Sequence, residues 1–487
     1  MSLKNIKQTV SDESFETYLA NFINNKEPLP TYAEEVTEKL DKIFNESYDF
    51  SHITIETKQG PVQIYYFQGM INEILFHHNV LQPLQENDYY QMTDLKQHLH
   101  VSGIEKATEW TQLIKELHSG NVLLHVDNSI PLILQMEDVT RRSLTDPSTE
   151  QQVYGTKIGL IENIETNVSL VRKMIKDPRL KTKEFCLGTQ TQTKVAFLYM
   201  EQYMEEGEIE FMSEKLKTYN KKHLFSLGDL SNHLSQYPFA LFPQHSRTER
   251  LDNVCYELFN GKMAILVDNS TFCLITPTYF MDSITSYEDE TFFVKWSFLF
   301  TRLLRFFSVL FGAILPAIYV SLVAFHPELL PTTLALTIAE SRSDIPLPAQ
   351  AEALFMMMAL DILVEASIRL PSFVGQTIGI VGGLVIGTAA VEAGIVSNTM
   401  VIIIAFTAIS TFTLPSWETV TAWRTMRYLF LLSASVLGLY GYSLIFGLLL
   451  FHSCKIDQFG RSYMYPISPF DLSKLISIFF KKDAASK

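Results

Sequence analysis

The sequence predicts an α/β soluble N-terminal region of two related subdomains, followed by an all-α multi-pass transmembrane domain. Three observations carry this. First, charge is unevenly spread over the 487 residues: residues 296–454 hold only 8 acids and 6 bases, while residues 1–295 hold 42 acids and 27 bases, so the net −14 belongs to the N-terminal part. Second, a segment of the charged part is repeated. Third, the C-terminal third consists of apolar runs of membrane-crossing length. Together these exclude a single soluble enzyme domain, a disordered chain and a basic nucleic-acid binder.

Taken in order, residues 1–49 read as a helical lead-in, and MSLKNIKQTVSDESFETYLANF has no apolar core of the signal-peptide kind. The charged region is therefore expected in the cytoplasm. In ITIETKQGPVQIYYF (residues 53–67) two β-rich runs flank Gly60-Pro61, a hairpin signal. GNVLLHVDNSIPLILQ (120–135) then matches GKMAILVDNSTFCLIT (261–276) at a constant offset of 141 residues. Each copy follows a short amphipathic helix and reads strand, Asp-Asn-Ser turn, strand, since Asp and Asn tolerate positive φ and bond their own backbone. A ligand loop is the sharper reading of the duplicated Asp-Asn, and a hairpin turn the plainer and favoured one. The repeat divides the soluble part into α/β subdomains at 50–145 and 155–285.

The transmembrane domain is placed at 296–454, with about four to five spans plus amphipathic or re-entrant segments, and a cytoplasmic tail at 455–487. Residues 298–325 are long enough to cross a hydrocarbon core of about 30 Å. Residues 329–339 are too short, and 351–370 carry Glu352, Asp361, Glu365 and Arg369, too many charges for a lipid-facing helix. Residues 376–397, 399–415 and 426–452 read as three further spans. Four spans put the basic tail (Lys455, Arg461, Lys474, Lys481, Lys482) inside, as cytoplasmic loops prefer, but leave Arg424 and Arg427 outside.

Catalytic and metal chemistry find no pattern. There is no HExxH, GxSxG or P-loop, the four cysteines (Cys186, Cys255, Cys273, Cys454) stand far apart, and His77-His78 and His98/His100 lack a Cys partner. The expectation is no enzyme, no cofactor, no metal and no nucleic-acid partner.

The run EASIRLPSFVGQTIGIVGGLVIGTAAVEAGIVSNTMVIIIAFTAIS (365–410) closely resembles the A subunit of the GerA family of spore-germination nutrient receptors. The resemblance extends through RRSLTDPSTEQQ (141–152), residues 167–179, FPQHSRTERLDNV (242–254), residues 261–268 and SLVAFHPELLPT (321–332). It implies a multi-pass protein of the spore inner membrane whose soluble N-terminal region is cytoplasmic. It also implies a homo-oligomer, a pentamer by resemblance, working with a transporter-like, nutrient-binding B subunit and a lipoprotein C subunit. The implied activity is a nutrient-gated ion channel that releases monovalent cations and starts germination. Alternatives are an accessory channel of the same family that amplifies germination, a secondary transporter, or a membrane signalling scaffold. The chain departs from the family pattern at Tyr154-Gly155-Thr156 (usually Arg-Gly-Pro), Met357 (usually an acid), Val364 (usually basic) and Thr388 (usually Gln).

Residues 376–395 are the candidate pore helix. Gly379, Gly383 and Gly387 recur every four residues, a stripe along which another helix can approach closely. At about 100° per residue, Thr377, Leu384, Thr388 and Glu392 fall on a second face suited to a shared aqueous axis, with Leu384 as the constriction. The plainer alternative is a helix packed inside its own bundle. Asp361 and Glu365, on the preceding segment, are the further carboxylates offered to an ion path.

Overall fold

The computed structural model describes residues 29–57, 60–86, 99–101, 103–136, 150, 158–287 and 295–480. RRSLTDPST of the 141–152 run, Tyr154-Gly155-Thr156 and His98 lie outside them. The chain forms two compact units, one taking the chain to Ser235 and again Arg247–Pro277, the other Gln236–Ser246 and everything from Thr278.

In the first unit, α1 (Ala33–Ile43) precedes a sheet of β1 (Phe50–Thr57), β2 (Gly60–Phe67), β3 (Ile104–Lys106), β4 (Val122–Val126) and β5 (Leu132–Leu134), with α2 (Trp110–His118) before β4. The strand order is β1-β2-β4-β5-β3. The second half repeats this with α3 (Ile164–Met174), β6 (Leu180–Leu187), β7 (Thr193–Met200), α4 (Glu206–Lys217), α5 (Leu227–Leu234), β8 (Ser246–Thr248), α6 (Leu251–Phe259), β9 (Met263–Val267) and β10 (Cys273–Thr276). Its order, β6-β7-β9-β10-β8, is the same topology.

Side chains alternate across a strand, so the first sheet is buried twice over. Tyr65, Phe67, Leu123 and Ile133 meet Val36, Leu40, Trp110 and Leu113 of α1 and α2 on one face. Val62, Ile64, Leu124 and Leu134 meet Phe76, Val80 and Leu84 on the other. In the second sheet α3 and α6 cover Leu180, Ala196, Leu198, Ala264 and Leu266.

The duplicated Asp-Asn has one job in both copies. Asn128 and Asn269 take positive φ (60° and 63°). Asp127 Oδ1 then accepts from Ala33 N at 2.8 Å, and Asp268 Oδ1 from Ile164 N at 3.3 Å. Each turn thus caps the N-terminus of its own subdomain's first helix, satisfying a donor that the helix itself leaves unpaired. These are turns, and the ligand-loop reading falls away. This also moves the first boundary: α1 is the counterpart of α3 and belongs to subdomain 1, so the lead-in reading of 1–49 fails for its described part.

In the second unit, α7 (Lys295–Ala324) is followed by α8 (Thr332–Ser341), α9 (Ala349–Arg369), α10 (Ser372–Glu392), α11 (Asn398–Thr411), α12 (Trp417–Leu437), α13 (Leu439–Lys455), strands β11 (Asp457–Gln458) and β12 (Arg461–Ser462), and α14 (Leu472–Phe479). Among the described residues one helix, Trp296–Ala324, is long and apolar enough by itself to cross a membrane. The run 426–452 is not a single span. Gly438, at φ +59°, ends α12 and starts α13. Phe430 lies 6.4 Å from Phe446, ring centre to ring centre, so the two helices fold back on each other as a hairpin. Gly441 allows the close approach, since a Cβ there would sit 2.2 Å from the Ser433 carbonyl oxygen.

The direction of the other helices follows from similar contacts. Phe325, just past α7, sits against Gly438, while Gly312 in mid-α7 abuts Thr411 at the end of α11. Tyr319 and Val320 cluster with Met400 and Ile404, so α11 runs antiparallel to α7. α9 and α10 form another antiparallel hairpin, in which a Cβ on Gly375 would lie 2.6 Å from the Ser367 oxygen and one on Gly382 2.5 Å from Leu363 Cδ1. The segment after α13 is no loose tail. Tyr463 and Gln458 are buried, Phe280 N donates to the Tyr463 carbonyl at 2.9 Å, and Tyr463 stacks on Phe242. Hydropathy does not see this, because the folding back is done by aromatic packing and backbone bonds.

Candidate functional site

α10 holds most of the residues singled out from the sequence. It packs on α9 through Gly375 and Gly382, and Ala390 is buried as well. Leu384 lies about 180° round the helix from Gly375, with Thr377 and Thr388 within about 40° of it. Leu384 is 66 % exposed, and Thr377, Thr388 and Glu392 are exposed as well. The four thus share the side turned away from the chain's own bundle. Thr388 Oγ1 donates to the Leu384 carbonyl at 2.8 Å, which leaves its oxygen lone pairs outward.

The glycine stripe lies between the two faces. Among the described residues a Cβ on Gly379 would meet nothing within 4 Å, one on Gly383 only Leu363 Cδ2 at 3.9 Å, and one on Gly387 only Val401 Cγ1 at 4.0 Å. The close intrachain contacts are made instead by Gly375 and Gly382. Their spacing of seven places them on one helical face, a signal present in the sequence and overshadowed by the more regular four-residue stripe.

The acids of α9 are not available to an ion path as expected. Asp361 is enclosed by α12: Arg427 Nη2 donates to Oδ1 at 3.0 Å, Arg424 Nε to Oδ1 at 3.3 Å and the Tyr428 hydroxyl to Oδ2 at 2.5 Å. Arg427 is almost fully buried. Asp361 is a structural counter-ion joining α9 to α12, which corrects its reading as a pore charge. Glu365 is exposed but bound by Arg369 Nη2 at 2.6 Å, one helical turn on. Glu352 enters the sequence reading only as one of the charges of residues 351–370. It is fully buried, and its Oε1 accepts from Ser397 N at 2.6 Å and from Ser397 Oγ at 2.5 Å, tying α9 to the start of α11.

In the first unit the chief polar centre is an ion pair between the subdomains. Arg172 of α3 donates through Nε and Nη2 to Asp49 at 2.5 and 2.7 Å, and Thr182 Oγ1 donates to the same carboxylate at 2.5 Å. The guanidinium also stacks over the Phe67 ring at 4.4 Å. His118 beside it is buried and bonds the Ile114 carbonyl at 2.7 Å. Burial, then the Arg172 charge, pushes its pKa down to about 4. Burial likewise pushes the Cys255 thiol up to about 12, so it is inert at neutral pH. His78 pairs with Gln82 at 3.0 Å.

The chain matches the family model "Bacillus/Clostridium GerA spore germination protein" over residues 38–487. It belongs to the GerA family. It is 35 % identical over 415 residues to "Spore germination protein KA" of Bacillus subtilis (strain 168), covering 84 % of this chain and 76 % of that protein. It is 37 % identical to "Spore germination protein GerLA" of Bacillus cereus, covering 77 % of each. The crystal structure of the N-terminal domain of the A subunit of the Bacillus megaterium spore germinant receptor GerK3 aligns with 52 % of this chain and 98 % of that one, at 22 % identity and TM-score 0.38. Membership of this family places the chain among the spore germination proteins.

Proposed function

We propose that the chain is the channel-forming A subunit of a nutrient germinant receptor. In this reading it assembles as a homo-oligomer, a pentamer by resemblance, in the spore inner membrane and releases monovalent cations there. It partners a transporter-like, nutrient-binding B subunit and a lipoprotein C subunit, and its work is passive conduction with no catalytic step. The observation that carries the reading is the outward face of α10. Thr377, Leu384, Thr388 and Glu392 are all exposed on one side of the helix, and a face with two hydroxyls and a carboxylate is poor in lipid but useful around water. The open stripe of Gly379, Gly383 and Gly387 leaves room for the neighbouring copy's helix.

Helix directions support a multi-pass arrangement. α7, α10 and α12 run one way, and α9, α11 and α13 the other, which returns the chain to the end where α7 begins. That end gathers Arg302, Arg305, Lys455, Arg461 and Lys474, the bias expected of a cytoplasmic side, and α12 starts there, which relieves the difficulty of Arg424 and Arg427. The soluble region, which precedes α7, is then cytoplasmic and serves assembly and coupling. Ion flux from proteoliposomes holding the purified receptor tests the proposal. Rapid passive cation efflux is expected; saturable, coupled flux would identify a transporter, and absence of flux a scaffold, and either would overturn it.

A further inference from the structure

The segment after α13 ends in a helix, α14, with three distinct sides. At about 100° per residue, Leu475 and Ile478 share one side and pack into the core cluster that holds Phe280 and Tyr463. Leu472 and Ile476 make a second apolar side, which is exposed, as are Phe470 before the helix and Phe480 after it. Ser473, Lys474 and Ser477 form the third, polar side. The chain thus covers half of an apolar arc about 160° wide, and the other half gains from a second apolar medium.

The level of α14 on α7 identifies that medium. Arg302 Nη1 donates to the Ile478 carbonyl, which fixes α14 beside the second turn of α7. Beyond Arg305, residues 306–324 run for nineteen residues without a charge. That is about 28 Å of helix, the thickness of a hydrocarbon core of about 30 Å. α14 therefore stands level with the edge of that core, where headgroups lie. Trp296 and Phe300, exposed on the first turns of α7, match the same layer, since aromatic rings collect there.

The charge fits one kind of leaflet. Arg461 and Lys474 stand 5.8 and 5.5 Å from the centre of the Tyr465 ring, and Lys481 and Lys482 follow in the sequence. Against these four bases stand Asp483 and Asp471, which is engaged by Lys474 N at 3.2 Å and the Tyr465 hydroxyl at 3.3 Å.

We propose that α14 lies in the bilayer surface, with Leu472, Ile476 and Phe480 at the boundary of headgroups and acyl chains and the basic residues drawn to anionic phospholipid. This rests on α7 crossing the membrane and not on ion conduction.

The test uses the full-length chain in vesicles of equal parts phosphatidylglycerol and phosphatidylcholine, with a bimane fluorophore on Ile476→Cys. Cys186→Ser and Cys454→Ser remove two exposed thiols, while Cys255 and Cys273 are buried. Bromine high on a lipid acyl chain quenches a fluorophore that it touches. Quenching is expected, about twofold or more stronger with bromine on phosphatidylglycerol than on phosphatidylcholine. Adding Lys474→Gln, Lys481→Gln and Lys482→Gln should make the two lipids equal. No quenching by either lipid, in a chain that resists alkaline extraction, would mean that a second copy or a partner protein covers this side, and would overturn the proposal. Equal quenching by both lipids before the lysines are changed would overturn it too, since charge would then select nothing. Release of the chain by alkaline extraction would instead remove the membrane-crossing reading of α7, and the proposal with it.

Discussion

Asp49→Asn removes the charge that the subdomain joint is built around. The Arg172 side chain is 0 % and the Asp49 side chain 4 % exposed, so no water is at hand to replace the lost carboxylate. Two charge-assisted bonds from Arg172 and one from Thr182 converge on Asp49. Removing one partner of such a buried pair leaves an uncompensated charge and costs about 3–5 kcal/mol. That is a large share of the about 5–15 kcal/mol that holds a domain folded. The pair's own net contribution is far smaller, because both ions were desolvated to form it. Asp49→Leu with Arg172→Met should therefore be more stable than Asp49→Asn alone, although the Leu180 carbonyl and the Thr182 hydroxyl lose a partner. Pulse proteolysis in urea, following the soluble region of the full-length chain, reads the midpoint shift. A single variant losing less than about 1 kcal/mol, the surface-pair value, would refute the reasoning. So would a double variant less stable than the single.

Three further outcomes follow from the same contacts. His118 is neutral in the folded chain with a pKa of about 4, against about 6.5 when unfolded; between these values the unfolded state binds more protons, so the stability present above pH 6.5 falls as pH drops towards 4, by about 3 kcal/mol in all. The urea midpoint of His118→Leu should lose that part of its pH slope, and an unchanged slope would count against it. Among the described residues a Cβ on Gly383 meets only Leu363, at 3.9 Å, so the Gly383→Leu protomer should fold while cross-linked oligomers disappear; normal oligomers would take the stripe out of the subunit contact. Leu384→Ala should give ion leak from spores without nutrient at unchanged receptor abundance, and a tight, nutrient-dependent response at normal abundance would remove Leu384 as the constriction.

The sequence was legible where chemistry is local. The repeat stands out because Asp-Asn turns recur at positive φ and the flanking strands are uninterrupted apolar runs. The place of α1 was hidden because its capping acid, Asp127, lies 94 residues downstream of Ala33. Asp361 reads from the sequence as a carboxylate on offer to an ion path for the same reason: Arg424, Arg427 and Tyr428 come 63 to 67 residues later. Gly438 was invisible to hydropathy, since a glycine in an apolar run lowers the average little whether or not it turns the chain. Its tell is steric, because a Cβ there would meet Phe325 Cβ at 2.9 Å. On α10 the close intrachain contacts fall on Gly375 and Gly382, seven residues apart, a spacing less conspicuous in the sequence than the four-residue stripe read as a contact with a neighbouring helix.

The same pairings narrow the question of ion preference to one residue. Glu352 is tied to Ser397, Asp361 to two arginines and a tyrosine, and Glu365 to Arg369. Each carboxylate already has a counter-charge or a full set of donors, so none presents a bare negative field. Glu392 is exposed and forms no ion pair or hydrogen bond with the described residues. It also sits in the last turn of α10, where the helix dipole disfavours a negative charge, so the fold gains nothing from an acid there. One copy per subunit would make a ring of carboxylates at the end of the proposed path, which raises local cation concentration and repels anions. Glu392→Gln should therefore lower the cation-to-anion permeability ratio of the reconstituted receptor, with a larger effect at low salt, where charges are less screened. Glu365→Gln, whose charge Arg369 already offsets, should change the ratio little. Reversal potentials under a salt gradient decide between them. A shift for Glu365→Gln with none for Glu392→Gln would mean that the ions do not pass along this face of α10.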